Sequence, residues 1–347
     1  MKFRVIISFL LFICSALLIM GAGQDLNGPF KPTYLDFKIP EGWPKPPTNI
    51  FAKNRLTEEG FQLGRKLFYD GRLSKDGNFP CASCHQQFAA FANFEHDFSH
   101  GFNNSFTKRN APALLNLAWM TELQWDGGIN HIEVQPLSPL TAANEMAENI
   151  DSVLRKLRKD TVYLRLFKAS FGTTEINSQR MLKALAQFIG SIVSSDSKYD
   201  KVKRGERNFT ASELNGYNTF KAKCAGCHKE PLFTDNSFRN NGMPLNTFLI
   251  DYGRMKITGD KRDSLKFKVP TLRNVALTYP YMHDGHFYTL GQVIDHYRTG
   301  IQTNQPNLDS LLKNRLPMSN QEKTWLIYFL NTLTDSTLIH NPRFAER

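Results

Sequence analysis

The sequence predicts a mainly α-helical protein in two halves connected by long loops. Three observations carry this. Apolar residues recur at three- and four-residue spacing in several stretches, whereas the strict alternation of half-buried strands is scarce. Capping boxes stand at the head of two such stretches. One short cysteine–histidine motif occurs twice, at 81–85 and 224–228, far enough apart for each copy to own a helical domain. The length of 347 residues, 41% of them hydrophobic, suits about two domains of ~150 residues each.

The chain opens with Lys2 and Arg4, an apolar run Val5–Met20 and the small residues Gly21, Ala22 and Gly23. This reads as a secretory signal over residues 1–23, cut near Gly23, because the run falls short of the ~20 apolar residues of a membrane span. Cys14 lies inside that signal, and Ile13 stands where a small residue should precede a lipidated cysteine. No later stretch is apolar enough to span a bilayer, so the expectation is an exported, periplasmic protein. Residues 24–55, with Pro40, Pro44, Pro46 and Pro47, read as an extended wrapping segment.

Helical periodicity begins after it. Phe61, Leu63, Leu67 and Phe68 predict a helix over about Thr57–Tyr69. Val153, Leu154, Leu157, Leu164 and Phe167 mark a second helical region, and Met181, Leu182, Leu185, Phe188, Ile189 and Ile192 a third. Thr210 and Glu213 head a helix running to Cys224, and Ser319 and Glu322 head one over Trp325–Leu333. The polar stretch Asp196–Asn208 is the candidate linker. Domains are therefore expected at 56–200 and 201–347.

The formal charge is +11, with lysines and arginines scattered and not clustered. That pattern argues against nucleic acid and for an acidic protein partner.

Four of the five cysteines form Cys81-Ala82-Ser83-Cys84-His85 and Cys224-Ala225-Gly226-Cys227-His228. In C-x-x-C-H the two thiols make thioethers to haem vinyl groups, and the adjacent histidine is held beneath the iron as proximal ligand. A thioredoxin-like pair would need a βαβ setting, a four-cysteine zinc site would need neither histidine, and a disulfide across two residues would be strained. None explains the paired histidines. Each motif also follows a predicted helix. The fold class is thus two cytochrome c-like haem domains with long loops, carrying two c-type haems.

Electron carriage alone needs two six-coordinate irons, whereas peroxide chemistry needs an open position and an acid–base group beside it. Between the motifs run Arg109-Asn110-Ala111-Pro112, Trp125-Asp126-Gly127, Glu133-Val134-Gln135 and Asn144-Glu145-Met146. With these the sequence resembles the bacterial dihaem cytochrome c peroxidases and the related MauG proteins, from about Leu56 to Leu333. The resemblance implies that Glu145 is the catalytic glutamate at the open face of the first haem and that Gln135 lies in the same pocket. It implies that Trp125 stands between the haems as an electron conduit. It also implies calcium held by the Asn110 side chain and the carbonyls of Thr278 and Pro280, ligands suited to a hard cation. A homodimer is common among such proteins.

Two positions depart from the peroxidase pattern. Phe102 stands where many peroxidases carry a histidine that blocks the first iron, with His96 and His100 nearby as substitutes or as plain loop residues. Tyr297 stands where they carry the methionine ligand of the second iron; MauG proteins carry a tyrosine there, and Met243, Met255 and Met282 compete for the role of ligand. Phenolate is a harder ligand than thioether and would lower the potential. The leading expectation is a peroxidase that reduces hydrogen peroxide to water with electrons from a small cytochrome c or cupredoxin. In it residues 56–200 form the peroxidatic domain and 201–347 the electron-transfer domain. The alternative is a MauG-like enzyme that oxidises residues of a protein substrate. A non-catalytic dihaem electron carrier is the third reading, against which Glu145 argues.

Overall fold

The computed structural model describes residues 29–347, so the signal expected over 1–23 lies outside it. The described chain is mainly helical. Its sheet is one antiparallel pair, β1 (Phe238–Arg239) with β2 (Phe267–Lys268). No described helix is long and apolar enough to cross a membrane.

Helix α1 spans Glu58–Phe68. The Thr57 hydroxyl accepts from Gly60 N at its start, and Tyr69 closes it, as the apolar spacing predicts. The second predicted region is two helices, α2 (Ile150–Arg158) and α3 (Thr161–Phe171). Its apolar pattern runs through, but the Asp160 carboxylate accepts from Val162 N and restarts the helix there. Helix α4 covers Ser178–Gly190. Asp196–Asn208 is not a free linker. It carries α5 (Lys198–Lys203), opened by a capping box between Ser197 and Asp200. Tyr199 and Asp200 are buried, and the Asp200 carboxylate receives both terminal nitrogens of the buried Arg273 at 2.8 and 2.9 Å. Helix α6 (Ala211–Lys223) begins on the predicted Thr210–Glu213 box. Helix α7 covers Leu290–Asp295, and α8 covers Asn320–Asn331, starting at Ser319 and several residues earlier than the apolar pattern alone indicates.

Buried apolar side chains gather in two clusters. One includes Phe61, Phe68, Phe91, Leu154, Phe167, Leu185 and Phe188. The other includes Tyr199, Phe220, Phe233, Ile294, Leu326 and Phe329. The same construction recurs in both. The helix leading to a cysteine motif crosses a partner at a glycine: Gly64 of α1 against the Ala184 carbonyl of α4, and Gly216 of α6 against the Trp325 carbonyl of α8. A Cβ at either glycine would run into that backbone. Gly216→Ala gains about 1 kcal/mol of helix propensity, but forcing the methyl against Trp325 costs about 1–3 kcal/mol. The variant should melt at lower temperature. A melting temperature equal to or above that of the parent would show that the crossing is not close-packed.

Two segments bind the clusters together. The extended amino-terminal stretch packs Phe37 and Trp43 on Trp119, whose indole N–H donates to Pro44 O at 2.8 Å, and Arg273 lies 4.4 Å over the Trp43 ring. The carboxyl-terminal residues leave the second cluster and return to the first. Phe344 meets Phe61, Phe91 and Phe188 there, and the Tyr69 hydroxyl donates to Phe344 O at 2.8 Å.

Candidate active site

The first cysteine motif is a single helical turn, Cys81–Cys84, that ends at His85. Its Nδ1 lies 2.9 Å from Phe91 O. Ala90 and Phe91 both take left-handed backbone (φ 55° and 58°), a sharp turn that delivers this carbonyl. The second motif repeats the device. His228 Nδ1 lies 3.0 Å from Phe233 O and 3.2 Å from Pro270 O, and Phe233 is again left-handed (φ 56°). A carbonyl at Nδ1 requires its proton there, which leaves Nε2 as the lone-pair nitrogen able to bind a metal. Burial pushes His85 down to about 4 and lowers His228 as well, so both imidazoles are neutral, as ligation requires. These two phenylalanine carbonyls were not legible in the sequence, because a main-chain oxygen leaves no residue-type signal.

Both motifs line one cavity of about 840 Å³, which lies between the two apolar clusters. Cys81, Cys84, His85, Cys224, Cys227 and His228 all face it. So do Trp125, Gln135, Glu145, Asn110, Thr278, Pro280 and Tyr297. These thirteen residues therefore meet a single space.

Glu145 follows a short helix, Leu137–Thr141, on a turn in which its N–H donates to Ala142 O. The facing loop is clamped to it, since Phe102 N donates to Glu145 O at 2.7 Å and Gly101 packs on the Asn144 backbone. Burial raises the Glu145 carboxyl pKa. The Cys84 thiol is raised chiefly by its own burial and to a smaller extent by Glu145, which places this carboxyl at the first motif. Gln135 Oε1 is buried without a hydrogen-bond partner. An acceptor kept dry and unpaired is costly unless a ligand supplies the donor.

Trp125 is held by both ends. Its indole N–H donates to Asn110 O at 2.8 Å, and its carbonyl accepts from Lys268 N at 2.8 Å. Asn110 is buried, with its N–H on His283 O at 2.8 Å and its amide Nδ2 at 3.3 Å from the carbonyls of His96 and Asp97. That orientation turns Oδ1 away from those carbonyls. With Thr278 and Pro280 on the same cavity, the donor set is oxygen only, which suits calcium in kind.

Phe102 does not line the cavity and lies under Lys75, 4.8 Å from ring centroid to ammonium. His96 is exposed, edge-on to His100 at 5.2 Å. His100 is also exposed but does reach the cavity wall. Tyr297 sits in a π-helical turn, His296–Gly300, that extends α7, and its phenol faces the cavity. Burial pushes the phenol up to about 12, with Asn241 opposing and the cysteines of the second motif adding to it. Of the competing methionines only Met282 lines the cavity.

Paired C-x-x-C-H motifs on one helical scaffold define the class, a c-type cytochrome with two haem-binding motifs. A profile of the di-haem cytochrome c peroxidases matches residues 58–208. The methylamine utilization protein MauG of Methylorubrum extorquens is 35% identical over 303 residues, 86% of this chain and 83% of that one. Cytochrome c551 peroxidase of Nitrosomonas europaea is 34% identical over 278 residues, 79% of each. The crystal structure of a MauG-like protein associated with microbial copper homeostasis superposes with a TM-score of 0.81 at 34% identity, covering 90% of this chain and 99% of that one. The chain belongs to the dihaem cytochrome c peroxidase and MauG family, a family of oxidoreductases in which two c-type haems are implied.

Proposed function

We propose that this protein is a periplasmic peroxidase that reduces hydrogen peroxide to water with two electrons and two protons, the electrons coming from a small cytochrome c or cupredoxin. The observation that carries the reading is that the half-buried Glu145 carboxyl, its pKa raised by burial, and the dry, unpaired Gln135 Oε1 line the same cavity as His85. In this reading residues 56–200 form the peroxidatic haem domain and 201–347 the electron-transfer haem domain. Cys81, Cys84 and His85 hold the first haem, and Cys224, Cys227, His228 and Tyr297 hold the second. When bound, haem supplies an iron that can take up peroxide at an open position and exchange electrons.

The chain's own residues do the rest. Gln135 Oε1 accepts a hydrogen bond from the peroxide and orients it. Glu145 receives the proton of the near oxygen and returns it to the far one, so that the departing oxygen leaves as water. The apolar lining keeps bulk water from competing for that proton. Trp125, fixed at its indole nitrogen and its carbonyl, is the conduit between the two motifs. Asn110, Thr278 and Pro280 would hold calcium, whose charge would pin the loop that carries Trp125's acceptor.

Tyr297 favours a second, MauG-like reading in which oxidising equivalents are used on a protein substrate. A buried phenol pushed up to about 12 ionises only beside a cation, and an iron at the second motif is one. Tyr297→Met should raise the second haem's potential and let a mild donor reduce it. A potentiometric titration reads this directly, and an unchanged potential removes Tyr297 from the ligand set. Rapid mixing of the ferric protein with peroxide, with and without a reduced cytochrome, separates the two readings. Fast, repeated cytochrome oxidation supports the peroxidase. A long-lived oxidised protein with negligible cytochrome oxidation overturns it in favour of the second reading.

A further inference from the structure

The wall of the cavity beside the second motif includes Tyr297 and Met282, side chains that can bind an iron, and the amide of Asn241, which meets Met282. Asn241 stands two residues after β1. Its backbone is fixed by its neighbour Asn240, which is fully buried and whose Nδ2 donates to Pro306 O at 3.0 Å. The Asn241 carbonyl lies 3.0 Å from His296 Nε2, the residue that precedes Tyr297 in the π-turn. Its side-chain Oδ1 accepts from Met243 N at 3.3 Å. This contact decides which way the amide faces, because only an oxygen can take a main-chain N–H. Nδ2 is therefore aimed into the cavity, 3.5 Å from Met282 Sδ. Tyr297 lines the same cavity, directly after the His296 that the Asn241 carbonyl meets. An amide nitrogen carries two hydrogens, so Nδ2 can serve the sulfur and still offer one to the phenolate.

Met282 is held in an unusual state. Its backbone is left-handed (φ 73°), a conformation that side-chain-bearing residues adopt only when their surroundings impose it. The chain on either side is pinned by the Tyr281–Phe287 bridge. The thioether is thus kept on the cavity wall with its sulfur facing a donor.

We infer that Asn241 is a positioning residue that selects the second iron's ligand, holding the Met282 sulfur in a hydrogen bond and steadying the Tyr297 phenolate for the metal. The inference rests on the reading of Tyr297 as that ligand. The chemistry favours the arrangement. A hydrogen bond takes one of the two lone pairs of the neutral thioether, weakens it as a donor and holds it in place, whereas the same N–H stabilises an anionic phenolate oxygen. Removing the amide reverses both effects, and the soft, neutral thioether then competes with the hard phenolate.

The test uses the full dihaem protein and spectroscopic readouts. In Asn241→Leu, which keeps the size and removes the donor, the ferric second haem should gain the near-infrared thioether-to-iron charge-transfer band absent from the parent. Its reduction equilibrium should move about tenfold or more toward the reduced form, the direction expected of methionine ligation. Adding Met282→Leu should erase the band and most of the shift, while Met282→Leu alone should leave the parent spectrum unchanged. Should Asn241→Leu fail to load haem, Asn241→Asp serves, since a carboxylate offers no hydrogen to sulfur or phenolate, and the same band is expected. A parental spectrum and potential in the loaded Asn241 variant overturn the inference. Tyr297→Phe keeps that failure distinct. If it too leaves the second haem's spectrum unchanged, Tyr297 is no ligand and the reading beneath the inference has failed. If it alters the spectrum while the Asn241 variant does not, only the role of Asn241 is lost.

Discussion

His85→Ala should abolish peroxide turnover while the second haem stays attached. His85 is the metal-competent nitrogen at the Glu145 end of the cavity, locked by Phe91 O into the tautomer that offers Nε2. Without it the one-turn helix Cys81–Cys84 and the residue that follows His85 offer only the Ser83 hydroxyl and the Gln86 amide, and neither would hold an iron as an imidazole does. The second site has its own helix crossing, its own apolar cluster and its own carbonyl on His228, so its assembly does not depend on the first. Haem content by absorbance of the denatured, reduced protein should fall no lower than one haem per chain, and peroxide consumption should drop to the background rate. Turnover retained in this variant would place the reaction at His228. Loss of both haems would show that the two sites mature as one.

How much of this was readable in the chain follows from range. Thr210 with Glu213 and Ser319 with Glu322 are contacts across three residues, and both helix starts were found. The break at Asp160 was missed because the apolar spacing of α2 continues into α3, and a cap contact is the only local sign of the interruption. Asp196–Asn208 was misread for the opposite reason. Its composition is polar, but what orders it is long-range: Arg273 on Asp200 and the Phe233 and Phe329 rings around Tyr199. The cysteine motifs carry their chemistry in spacing and were plain. Glu145, Gln135 and Trp125 stood out only through resemblance, since a single carboxyl, amide or indole has no signature of its own. The groups that tune the site, Phe91 O, Phe233 O and the Asn241 amide, act through backbone geometry and chain crossings. These emerge only when the fold is in view.

Glu145→Gln should keep the fold and both haems yet slow peroxide cleavage by about 10²–10⁴, the usual worth of a positioned acid–base group. Gln fills the same space and still offers a hydrogen-bonding amide, but it cannot take a proton from one oxygen and return it to the other. The pH profile makes the assignment specific. Burial raises the Glu145 pKa, so the carboxyl is neutral at low pH and ionises only above its raised value. A base must be ionised to act, so parental kcat/KM should climb with pH through that value and then level, and the glutamine variant should lack the climb. Stability should move the other way. A carboxyl whose folded pKa is raised resists ionisation in the fold, which costs stability as pH rises past its unfolded pKa. Replacing it with a neutral amide removes that cost, so the variant should melt at or above the parental temperature at pH 7 and match the parent in acid. A loss of rate under about threefold would fall far below the expected range and take Glu145 out of the mechanism. A large loss of rate accompanied by a lower melting temperature would instead mark Glu145 as a structural residue of the loop that Phe102 N clamps.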